Sequence, residues 1–104
     1  MLHQLRGNSL PALRCFEKCL AIREQINDVN GVAYVLTELG LLYFHRYNSV
    51  EKSIFLLMQA CNLYQEIESS KKETPVRILN KIKETIGEEK YNQIVQFNQN
   101  NPPV

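Results

Sequence analysis

The chain has 104 residues, enough for one domain with one core and too few for two. Twelve basic residues stand against eleven acidic ones, a net charge of +1 that gives no electrostatic ground for binding nucleic acid. No apolar run approaches the roughly 18 residues that a membrane span needs.

Residues 1–7 lack the apolar centre of a signal peptide, and Cys15, Cys19 and Cys61 are an odd number without framework spacing. Both features fit a reducing, cytoplasmic setting better than a secreted one. Glycine and proline are sparse and fall at boundaries, and the alternation typical of strands is absent, so the chain reads as all-α.

Asn8 or Ser9 caps the first full helix, and Pro11 is tolerated because the first turn leaves its backbone N–H without an intrahelical partner. Ala12, Leu13, Phe16, Cys19, Leu20 and Ile26 carry the helical period over residues 9–27. Asp28-Val29-Asn30-Gly31 then reads as a breaker that returns the chain to Val32.

Val32, Val35, Leu36, Leu39, Leu42 and Tyr43 recur at intervals of three and four, the stripe a helix over residues 32–46 would bury. Gly40 sits inside it. Glycine there costs roughly 1 kcal/mol relative to alanine, so its presence points to the close approach of another helix. Asn48-Ser49 supplies a turn and a cap, and Glu51 puts a carboxylate in the next first turn.

Over residues 50–67 one stripe holds Val50, Ile54, Leu57, Cys61 and Tyr64, and its neighbour holds Ser53, Leu56, Ala60, Leu63 and Ile67. Two adjacent stripes mean contacts on more than one side. After a polar linker at residues 69–73, Thr74-Pro75 reads as a cap followed by the first helical position, and Val76, Leu79, Ile82 and Ile86 run to Gly87 as a C-cap. Glu88-Glu89 opens a last helix with Tyr91, Ile94, Val95 and Phe97. From Asn98 onward the Asn- and Pro-rich end is expected to fray, leaving residues 99–104 as a tail.

Leu36, Leu39, Gly40 and Tyr43, followed by Val50, Ser53, Leu57 and Ala60, give the chain a spacing that resembles the tetratricopeptide repeat, a two-helix protein-binding unit. An internal copy accompanies it. Phe16 laid on Leu57 brings Ala12 onto Ser53, Cys19 onto Ala60 and Ile26 onto Ile67 at a period of 41. The usual period is about 34, and the longer one is similar to longer-helix variants of the family.

The resemblance implies a right-handed α-solenoid of antiparallel helix pairs. Residues 1–27 become a partial first repeat, in which Met1 to Arg6 are the last turns of a helix that Gly7 closes and whose earlier part is missing; residues 32–68 a complete repeat; and residues 74–98 a diverged capping hairpin. Cys19, Gly40 and Ala60 are expected at buried helix crossings. The implied function is a non-enzymatic protein–protein interaction module that holds a peptide or protein segment in a concave groove. The family's groove positions fall on Tyr34, Thr37, Leu41, Phe44 and His45, and the same mapping puts Arg77, Asn80 and Glu84 on the adjoining wall.

Two other classes compete. One is an architectural segment of a larger scaffold. The other is an RNA-binding helical repeat, which needs a basic concave face where this one offers His45, Arg77 and neutral groups. Chemistry finds little support: Cys15 and Cys19 share a face but with His3 lack a fourth zinc ligand, and His45 has no orienting carboxylate or nucleophile to work with. No phosphate loop, dinucleotide fingerprint or HExxH occurs. No catalytic residue, cofactor or metal is therefore expected, and the cysteines are expected to be unpaired. Without a preceding full helix, Leu13, Phe16 and Leu20 are expected to stay uncovered and to join two copies as a homodimer.

Overall fold

The computed structural model describes residues 9–46 and 48–100, with side chains over 13–46 and 48–98. Expectations placed on residues 1–8, on Tyr47 and on residues 101–104 fall outside this range. Among the described residues five helices follow one another: α1 Ser9–Gln25, α2 Val29–His45, α3 Val50–Glu66, α4 Glu73–Ile86 and α5 Glu88–Asn100, with a 3-10 turn at Ser70–Lys72. Among the described residues there is no strand, as the all-α reading expects.

The breaks have local causes, and two of them move the expected boundaries. Asn27, Asn48 and Glu68 take left-handed conformations with φ of 59°, 51° and 53°, which asparagine tolerates better than glutamate. After Asn27, α2 begins at Val29 instead of Val32. The supposed breaker is a cap and a first turn: Gly31 N donates to one Asp28 carboxylate oxygen at 2.9 Å, and Arg23 Nη1 donates to the other at 2.7 Å. Similarly, α4 starts at Glu73, one residue before the expected cap, because the 3-10 turn runs straight into it, with Lys71 N donating to Ser69 Oγ. Ser49 holds the cap position of α3 without a side-chain bond to the helix. Gly87 ends α4 at φ 93°, its N–H donating to the Lys83 carbonyl.

Helix α2 lies between α1 and α3, and α3 lies between α2 and the α4–α5 pair. The broad apolar surface of α3 follows from this position. Leu56, Ala60 and Tyr64 join Val32, Val35, Leu36 and Leu39 of α2 in one core cluster, while Ile54 and Leu57 join Leu79, Ile82 and Ile94 in a second. Full burial of side chains such as Ile54, Leu57 and Ile82 contributes roughly 1.5–3 kcal/mol each. The close approach expected at Gly40 is present, for a Cβ there would lie 2.6 Å from Leu57 Cγ.

Several expected core positions are corrected. Cys19 is exposed although Ala60, its counterpart in the internal copy, is fully buried. Among the described residues α1 packs on α2 and on no other helix, so Cys19 faces away from any crossing. For the same reason Ile22 and Ile26 stay 57% and 65% exposed. Leu13, Phe16 and Leu20, by contrast, are half-buried against the first core cluster and are not the uncovered surface of α1. Val76, Ile67 and Phe97 are also exposed. At the other end α5 continues to Asn100, and Asn98 does not fray: it is buried, with Nδ2 donating to the Glu51 carbonyl at 3.3 Å. Its Oδ1 has no hydrogen-bond partner among the described residues. Cys15, Cys19 and Cys61 are all free thiols.

Candidate functional site

The stripe that sends Val32, Val35, Leu36 and Leu39 into the core turns Tyr34 outward, where it stands 56% exposed. Beside it a hollow of about 510 Å³ opens where the start of α2 meets the 3-10 turn and the start of α4. Tyr34, Asn30 and the Arg23–Asp28 pair form the α2 side, Lys71 and Thr74 the other, and the buried Thr37 and Tyr64 lie beneath. Thr37 does not project as the groove mapping expects. It is 3% exposed, and its hydroxyl donates to the Ala33 carbonyl of its own helix at 2.9 Å, so it offers the hollow little polarity.

The entrance of this hollow is braced by Asp28. The backbone N–H of Gly31, and then the Arg23 guanidinium, hold the Asp28 carboxyl below its ordinary range. A Cβ at Gly31 would meet the Asp28 carboxylate and come within 2.5 Å of Arg23 Cδ, so a side chain there would displace the pair. Tyr64 is pushed the opposite way: burial raises its hydroxyl pKa, and the nearby Tyr34 and Glu38 raise it further.

Leu41 and His45 come together in a smaller hollow of about 200 Å³ bordered by Phe16, Leu42 and Arg46. Glu38 borders both hollows and so links them along α2. Phe44 is corrected: it is half-buried against the second core cluster, with its ring edge-on to His45 at a centroid distance of 5.1 Å. Ile54, Leu57 and their neighbours take up this ring because α4 and α5 pack on that side of α3. Arg77 and Asn80 share a third, shallow hollow of about 270 Å³ with Lys72, Glu73 and Val76. The exposed Arg77–Glu73 pair at 3.7 Å contributes little. Glu84 is exposed and borders none of these three hollows.

Glu38, Arg23, Asp28, Tyr64 and Lys71 are among the site residues that the sequence mapping omits. Glu38 has a visible signal, since it lies four residues after Tyr34 and three before Leu41 and therefore on their face. Tyr64 and Lys71 have none, because they arrive from α3 and the 3-10 turn.

A further groove of about 560 Å³ runs between α1 and α3 over Val32 and Leu36, with Leu20, Leu56 and Leu63 among its apolar walls. Among the described residues no group of three or more His, Cys, Asp and Glu side chains converges as a metal-ligand set, and no helix is long and apolar enough to cross a membrane. What the fold and the face define is an all-helical protein with an open polar and aromatic strip along one helix. Comparison with protein-family models, with curated proteins and with solved structures finds no match to this chain.

Proposed function

We propose that the chain is a non-enzymatic protein-binding module of tetratricopeptide type, a segment of right-handed α-solenoid, that takes a segment of a partner protein along the outer face of α2 and the start of α4. The observation that carries this reading is the strip from the hollow at Tyr34, past Glu38, to the hollow at Leu41 and His45. Tyr34 and Leu41 would serve as apolar anchors, and the polar groups around them would fix direction. The packing of each helix on its neighbours in chain order supports the solenoid, and the close contact of Gly40 with Leu57 supports the repeat alignment. Free thiols at Cys15, Cys19 and Cys61 fit a cytoplasmic setting.

Selection from a random peptide library on the immobilised chain tests it, with Kd values of enriched peptides measured by fluorescence polarisation. Enrichment that Tyr34→Ala with Leu41→Asp abolishes supports the reading. No enrichment, or binding indifferent to that variant, overturns it.

A second reading, an assembly segment of a larger scaffold or a homodimer, rests on a different surface. Ile22 and Ile26 at the end of α1 are both more than half exposed, an apolar pair suited to contact with another chain. RNA binding is the least favoured, because the strip has two acidic groups to offset Arg23 and Lys71 at its larger hollow.

A further inference from the structure

We infer that the hollow beside Tyr34 receives a cationic side chain, a lysine or arginine of the bound segment, held between the exposed Tyr34 ring and the Glu38 carboxylate, above the buried Tyr64. This rests on the groove reading and gives it a charge preference.

Four ionised groups border the hollow: Arg23, Asp28, Glu38 and Lys71. Two of them are committed to each other. The Arg23–Asp28 pair is closed at 2.7 Å, and the second Asp28 oxygen accepts from Gly31 N. Glu38 is half-buried and enters no ion pair among the described residues. A carboxylate partly withdrawn from water without a counter-charge favours a ligand that supplies one. Lys71 is exposed on the opposite wall, where water screens it more effectively.

The aromatic groups add to the same preference. Tyr34 presents its ring to solvent, and Tyr64 lies beneath, near enough to both Tyr34 and Glu38 for each to help retain its proton. Ring faces carry negative potential and attract ammonium and guanidinium groups. The Glu38 carboxylate and the exposed Tyr34 ring thus attract a cation by two mechanisms in one hollow, while an anionic side chain meets repulsion from Glu38.

The test uses the whole chain with n-butylammonium as a lysine side-chain probe and n-butyrate as its anionic counterpart, followed through the Tyr34 and Tyr64 ring signals by NMR. Butylammonium is expected to shift both rings saturably, and butyrate is not. Glu38→Gln and the exposed-site variant Tyr34→Leu should each weaken butylammonium binding by about threefold to fivefold, the scale of an exposed cation–aromatic contact. Lys71→Ala, which removes a like charge, should leave it equal or tighter. Equal response to the two probes, a Glu38→Gln chain that binds as the wild type does, or a Lys71→Ala chain that binds more weakly would overturn the inference. Selected peptides whose affinity survives lysine-to-norleucine replacement would overturn the cation site and leave groove binding standing. Butylammonium seating in a chain that binds no peptide would support the cation site and overturn the groove reading alone.

Discussion

The Ser53 hydroxyl donates a 2.7 Å hydrogen bond to the Gly40 carbonyl, joining α3 to α2 where Gly40 has no side chain to hold the helices apart. Leu57, one turn along α3, occupies the space that a Cβ at residue 40 would enter. Both contacts lie at the same crossing of α2 and α3. Gly40→Leu should therefore lower stability by roughly 1–3 kcal/mol through overpacking, and Ser53→Ala by about 1 kcal/mol through the lost bond. Urea denaturation midpoints read both. A Gly40→Leu midpoint equal to that of the wild type would contradict the crossing.

Asp28 makes the start of α2 sensitive to acid. Its carboxyl titrates below its ordinary value of 3.8, because the Gly31 N–H and Arg23 favour the ionised form. As pH falls the unfolded chain takes up the proton first, so the stabilisation is whole above the ordinary value and is lost as pH drops through the folded one. Asn at this position retains a capping oxygen but neither the charge nor the titration. Wild type should exceed Asp28→Asn in thermal midpoint at pH 7, and the gap should narrow below about pH 4. Parallel curves would show that the cap carries no charge dependence.

Tyr34 and Phe44 are predicted alike from sequence and should respond differently to substitution. Tyr34→Ala removes an exposed ring and should change stability by no more than about 0.5 kcal/mol while abolishing the proposed peptide binding. Phe44→Asp places a charge against the Ile54 and Leu57 cluster and should cost about 2 kcal/mol or more. Calorimetry of the two variants beside a binding titration separates the roles.

The apolar surface of α1 divides in the same way. Phe16→Glu is expected to destabilise the fold because Phe16 packs against the α2–α3 core, whereas Ile22→Glu with Ile26→Glu should leave the melting curve in place. If copies of the chain associate through α1, sedimentation should show the double variant as a monomer. An assembly indifferent to it would remove that reading.

Gly87 tests backbone strain without any clash. It lies at φ 93°, and a Cβ there would meet nothing within 4 Å. Gly87→Ala should still cost about 1–2 kcal/mol, since an L side chain disfavours that conformation whatever the space around it. An unchanged denaturation midpoint would show that the turn relaxes to negative φ at little cost.

What the sequence determined by itself was the set of helices and their buried stripes, because a 3.6-residue period is a property of one helix and is written in consecutive residues. Gly40 against α3, Leu79 and Ile82 in the core, and Gly87 at a helix end were legible for this reason. Tertiary structure decided which stripes found neighbours. Cys19 and Ala60 are small residues in matching register, yet Ala60 is buried because α3 has helices on two sides, and Cys19 is exposed because α1 packs on α2 alone among the described residues. The start of α2 is set locally as well, by Asp28 accepting from Gly31 N and from Arg23 five residues earlier, but that side-chain pairing is not part of the helical period. The candidate site is the sharpest case: Glu38 could be found on the Tyr34 face by counting, but Tyr64 and Lys71 join it only when α3 and the 3-10 turn fold against α2.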